Sequence, residues 1–192
     1  MAALGHALQD TGVSGLLARV PVARRRPLLR SVTVLAVLLF VTMTVLGLPL
    51  RTDAAPLGIV SLQFAASPEA AERMLVSWSA VPRVRLLWAH GLDLLLPVTY
   101  AVAIGLAAMH AAQVTRAAGR SAAVASGAAA AAAMSDQVEN VAMGITILSG
   151  PAWAGVLATL VAATVKSTLL ALAVGALVAA AVAARRARGD AR

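Results

Sequence analysis

The chain has no cysteine in its 192 residues, which excludes a disulfide framework, a thiolate metal site and a thiol nucleophile. Charge is scarce as well. Only 12% of residues are charged and 60% are hydrophobic, where a soluble domain carries roughly a quarter and a half. With a mean hydropathy of +0.86, the bilayer is the expected solvent. Acidic residues are the scarcest charged group, 8 against 16 basic ones, giving a net charge of +8. That excess does not point to nucleic acid as a partner. The arginines gather at the ends of apolar runs, as topology signals do, and form no stripe on one surface. There is no P-loop and no dinucleotide fingerprint.

What is present is four apolar runs and their borders. Residues 1–30 carry Arg19, Arg24, Arg25, Arg26 and Arg30, and Pro21 and Pro27 are expected to interrupt any helix there. Leu4, Leu8, Leu16 and Leu17 offer a short amphipathic turn against anionic lipid, but a disordered cytoplasmic tail whose arginines fix orientation is the simpler expectation. Residues 31–50 match the ~30 Å hydrocarbon thickness. The run exceeds a signal-peptide h-region and no A-x-A site follows it, so it reads as an anchor. The loop 51–85 is nearly balanced in charge. Val60, Leu62 and Phe64 alternate with polar residues, which predicts a short extended stretch. Ser67-Pro68-Glu69 reads as N-cap, first-turn proline and first-turn acid of a helix carrying Ala70, Ala71, Met74, Leu75 and Trp78 on one face. That helix is expected along the membrane surface, anchored by Trp78, with a lid over the bundle as its functional alternative.

Further spans are expected at 86–112, 121–148 and 152–184, followed by a basic tail, 185–192. The connections are basic, balanced, basic, uncharged and basic in order, so both termini fall in the cytoplasm across a plasma (inner) membrane. The expected fold class is an all-α membrane protein, a four-transmembrane-helix bundle with one extracytoplasmic loop carrying a short amphipathic helix.

One stretch conflicts with lipid. Ser135-Asp136-Gln137-Val138-Glu139-Asn140 follows Gly127 and six alanines. Alanine favours insertion weakly, and an Asp at a helix centre opposes it by ~2.5–3.5 kcal/mol, so this helix is expected innermost, held by its neighbours. In the second span His90, Asp93, Pro97 and Tyr100 share one helical face. At 1.5 Å per residue Asp93 lies ~10 Å below the outer interface, Glu139 and Asn140 at ~12–14 Å, Asp136 at ~18 Å and Lys166 at ~21 Å. The expected polar core therefore has His90, Asp93, Glu139 and Asn140 above an Asp136–Lys166 pair. Fully ionised, with His90 neutral, it holds three negative charges and one positive. Protonation or a bound cation must relieve that imbalance.

Gln63-Phe64-Ala65 with Trp78, then Asp93 with Tyr100, then Asp136-x-x-Glu139-Asn140, then Lys166 resembles a widespread, uncharacterised family of small four-helix bacterial integral membrane proteins. The resemblance runs from Leu57 to about Leu170, and its most specific part is the spaced D, DxxEN, K set. This chain departs from the pattern in having Gln63 where Glu is frequent and Leu96 where an aromatic is frequent. The resemblance implies an architecture and a shared polar core, and brings no activity with it.

Three functions from different classes follow. The network fixes helix packing; or it binds a proton, a cation or a small ligand, with Gln63 and Trp78 as loop candidates beside His90, Asp93, Tyr100, Asp136, Glu139, Asn140 and Lys166. The third is a membrane-embedded metalloenzyme using His90, Asp93, Asp136 and Glu139, although the di-metal pattern calls for two Glu-x-x-His pairs and the chain has one reversed His-x-x-Asp. The sequence names no cofactor. The expected partner is the lipid bilayer, with a homo-oligomer through small-residue faces such as Gly175-xxx-Ala179 required for a transport role.

Overall fold

A computed structural model of the protein describes residues 13–189, and every element among them is helical. In chain order these are α1 (Val13–Ala18), α2 (Val22–Gly47) with a 3-10 turn at Leu48–Leu50, α3 (Ile59–Gln63), α4 (Pro68–Ser77), α5 (Ala80–Asp93), α6 (Leu96–Ala112), α7 (Arg116–Ser149) and α8 (Trp153–Gly189). Three segments are long and apolar enough to cross a membrane: Val22–Leu50, Ala80–Ala112 and Trp153–Gly189. Helix α7 is not among them. Its alanines contribute little hydropathy and it carries Asp136 and Glu139.

Several elements differ from expectation. Pro27 sits inside α2 and does not interrupt it. The carbonyl deprived of a partner by the missing N–H belongs to Ala23, an exposed residue that water can satisfy. Val13–Ala18 is helical where a disordered tail was expected, while Leu4 and Leu8 lie outside the described residues. The Val60–Phe64 alternation forms no strand: α3 covers it, with Leu62 buried and Val60 and Phe64 exposed. Gly58 opens that helix at φ 63° and ψ −129°, a conformation reserved for glycine. The expected span 86–112 is two helices, because Leu94 and Leu95 turn just before Pro97.

The described chain divides into two compact units. The first comprises the residues up to Leu35, Val98–Ala133 and those from Ser167 on; the second comprises Ala36–Pro97 and Met134–Lys166. The core of the first unit is almost entirely alanine. Ala108, Ala111, Ala122, Ala125 and Ala180 form one cluster and Ala128, Ala129 and Ala173 another, with Ile104 touching both. Side chains this small let backbones approach closely, which is how helices associate where burial from water provides no drive. At one corner of this unit Arg25 Nε donates to Val20 O at 2.9 Å and its Nη2 to Ala18 O at 2.9 Å, closing α1 onto α2.

The second unit holds the larger side chains. Leu50, Leu62, Trp78, Leu86, Met143 and Val156 form one buried cluster. The loop is thereby folded onto α5, α7 and α8. Trp78 was expected as a surface anchor, yet it is 1% exposed. Its indole Nε1 donates to Leu50 O at 2.7 Å, so the ring's one polar atom is satisfied inside. Arg83 then ties the corner between α4 and α5, donating to Trp78 O at 3.0 Å and to Leu75 O at 2.7 Å.

Candidate functional site

The second unit brings together one group of polar side chains, and its origin is the break between α5 and α6. Pro97 has no N–H to give to Asp93 O, and the turn at Leu94–Leu95 leaves the Leu94 carbonyl open as well. Two amide side chains of α7 supply the missing donors. Asn140 Nδ2 donates to Asp93 O at 3.3 Å, and Gln137 Nε2 donates to Leu94 O at 2.8 Å. A third α7 side chain faces α8: Ser135 Oγ donates to Ala162 O at 2.9 Å.

Charge forms the centre. Lys166 Nζ on α8 lies 3.0 Å from Asp136 Oδ1 and 2.6 Å from Glu139 Oε2. The Lys166–Asp136 pair expected from depth is present, and Glu139, expected one level higher, shares the same ammonium. Asp136 and Glu139 are three residues apart, so one helical face presents both carboxylates to one cation. Side-chain exposure is 15% for Lys166, 4% for Asp136 and 0% for Glu139, so all three charges are largely removed from solvent. Every ion pair among the described residues is made by Lys166. The Asp136 contact is also a hydrogen bond. The closer Glu139 contact approaches off the hydrogen-bonding direction, and it is an ion pair on distance alone.

The ring of His90 rests against Gly144 of α7. A Cβ at that position would lie 3.0 Å from Nε2, a tight contact that would push the ring back by a few tenths of an ångström. His90 lies close to the main chain at Asn140, while its Nδ1 is buried with no hydrogen-bond partner. Glu139 Oε1 and Asn140 Oδ1 are likewise buried and unpartnered. Asp93 is 5% exposed and lies within electrostatic range of Asp136, Lys166 and Glu139.

Of the residues expected at the site, His90, Asp93, Asp136, Glu139, Asn140 and Lys166 all belong to this unit. Tyr100 belongs to the other. Two turn residues, Leu94 and Leu95, lie between His90 and Tyr100. Gln63 ends α3, half-buried, and Trp78 is committed to the loop core. No group of three or more His, Asp or Glu side chains among the described residues is placed to hold a metal ion. The metalloenzyme ligand set is therefore not assembled: Asp136 and Glu139 face an ammonium, and His90 turns toward the α7 main chain.

The sequence reading missed Gln137 and gave Ser135 no packing role. Pro97 was the available signal for Gln137, because a proline inside an apolar run frees carbonyls that a neighbouring helix must satisfy.

No protein-family model, curated protein or solved structure matches this chain. The geometry alone supports a functional reading.

Proposed function

We propose that this is a multi-pass plasma-membrane protein, a four-helix bundle with both termini cytoplasmic, of the kind its D, DxxEN, K pattern resembles among small bacterial membrane proteins. Its buried network fixes how the helices pack. Support for the bundle comes from three apolar helices of spanning length and from α7, whose 34 residues extend ~51 Å at 1.5 Å per residue. Arginine at both chain ends and at the α6–α7 turn supports the orientation. The chain has no natural cysteine, so single cysteines test that orientation directly. An impermeant maleimide should label Asp53→Cys in intact cells and Gly189→Cys only after permeabilisation, and the reverse pattern would invert the topology.

The observation that carries the packing role is Lys166 Nζ touching Asp136 and Glu139 from a different helix at 3.0 and 2.6 Å. Alanine-rich helices have little side-chain relief to prevent sliding. A fixed ion triad specifies one register where apolar contact permits several.

One observation favours a second reading, a proton, cation or small-ligand site. Glu139 Oε1, Asn140 Oδ1 and His90 Nδ1 are buried acceptors or donors without partners, and buried polar groups are ordinarily satisfied. Melting the detergent-purified protein over a pH series, with mono- and divalent cations and a chelator, separates the two readings. For a packing network Glu139→Gln melts lower under every condition and no cation gives a saturable shift. A saturable shift in the wild type that Glu139→Gln loses would establish the binding role instead.

A further inference from the structure

The first unit contains a cavity of about 360 Å³ between the start of α2 and the end of α6. Its lining is of two kinds. Arg26, Arg30, His110 and Gln113 supply polar and cationic groups, while Leu29 and Met109, both partly exposed, are among the side chains forming an apolar wall backed by the buried Leu106. Arg26 and Arg30 are four residues apart on α2 and so project from the same face. Neither is paired with a carboxylate, since every ion pair among the described residues belongs to Lys166. Arg25, which also lines the cavity, is committed elsewhere, its guanidinium holding the Ala18 and Val20 carbonyls.

We propose that this cavity binds the headgroup of an anionic phospholipid, with the phosphate between Arg26 and Arg30 and the start of an acyl chain along Leu29 and Met109. The assignment rests on the membrane topology proposed above, which sets this end of α2 at the cytoplasmic leaflet, where anionic lipids reside. An arginine pair matches phosphate geometry through its planar forks. The apolar wall distinguishes a lipid from a free anion, which would leave the partly exposed Leu29 and Met109 uncovered. The alternative for these arginines is orientation alone, a role that needs positive charge and no cavity.

The test measures the melting temperature of the full chain in dodecyl maltoside against added dioctanoyl phosphatidylglycerol, dioctanoyl phosphatidylcholine or inorganic phosphate. Phosphatidylglycerol should give a saturable rise, and the other two none. Arg26→Gln/Arg30→Gln should raise the half-saturation concentration about thirtyfold, while Arg185→Gln/Arg186→Gln leaves it unchanged. Met109→Trp, which fills the cavity and keeps every charge, should also abolish saturation. An equal response to phosphatidylcholine, saturation by phosphate alone, or an equal loss in the Arg185/Arg186 variant overturns the site. Carbonate washing of membranes separates this failure from that of the topology. A chain released by carbonate is not integral to the membrane, whereas a retained chain indifferent to phosphatidylglycerol lacks only this site.

Discussion

Ser67 takes an extended conformation at φ −154° and ψ 160° while its Oγ accepts the Ala70 N–H at 3.2 Å. That single hydroxyl starts α4, and Pro68 and Glu69 follow in the first turn, where a missing N–H and a negative charge are both favourable. Glu69 is exposed. A hydrogen bond with the Ser67 side chain, then one from its own backbone N–H and the charge of Arg73, hold its carboxyl below the ordinary value of 4.5. A lowered acid contributes stability that is present above the ordinary value and lost as pH falls through the lowered one. Ser67→Ala removes this cap and should reduce unfolding free energy by about 1 kcal/mol. It should also move the Glu69 titration, followed by NMR, toward the ordinary value; an unmoved titration would mean that Ser67 does not hold the carboxylate. Capping of this kind was legible from three letters of sequence because it involves neighbours in the chain.

The α5–α6 break was not legible in the same way. Pro97 and Asn140 could each be seen in the sequence, but the hydrogen bond between Asn140 Nδ2 and Asp93 O joins residues 47 positions apart. The depth argument set both residues at one level and assigned Asn140 to the charged side chains. Its amide instead serves a main-chain carbonyl. If Asn140 and Gln137 compensate for the proline, their value depends on it. Asn140→Ala should lower stability by about 1–3 kcal/mol in the natural chain, the range for leaving a buried group unsatisfied. It should lower it measurably less beside Pro97→Ala, where a backbone N–H returns to Asp93 O. A double-mutant cycle of unfolding free energies checks this, and strict additivity would contradict the compensation. The strand expected at Val60–Phe64 failed for a related reason. Period-two alternation over five residues does not distinguish a strand from a short helix, and of Val60, Leu62 and Phe64 only Leu62 is buried. Trp78 was misassigned because an aromatic beside a membrane fits either an interface belt or a core, and the acceptor that decides between them, Leu50 O, lies 28 residues away.

For the molecule as a whole, a composition of 60% hydrophobic and 12% charged residues led to the expectation of long apolar helices, and three of spanning length are present among the described residues. Helical rise alone then paired Asp136 with Lys166 across 30 residues of sequence, because depth is a one-dimensional coordinate that periodicity supplies. Sharing of Lys166 by Glu139 was beyond it, since that depends on helix rotation. The alanine-rich half of α7 carries the same lesson. Its composition announced close packing, and the alanine clusters of the first unit bear that out. Which of its faces meets which neighbour was not encoded in a run of identical residues. The central claim concerns the three charges that give this uniform surface a register. The measurement that tests it most directly is the unfolding free energy, in one detergent and at one pH, of the wild type, of Lys166→Met and of Asp136→Asn/Glu139→Gln/Lys166→Met. Removing the ammonium alone leaves two buried carboxylates facing each other and should lower stability by about 3–5 kcal/mol. Neutralising all three should restore most of that loss while relaxing the packing, seen as broadened or doubled NMR signals from α7. A Lys166→Met protein as stable as the wild type, with sharp α7 signals, would contradict the claim.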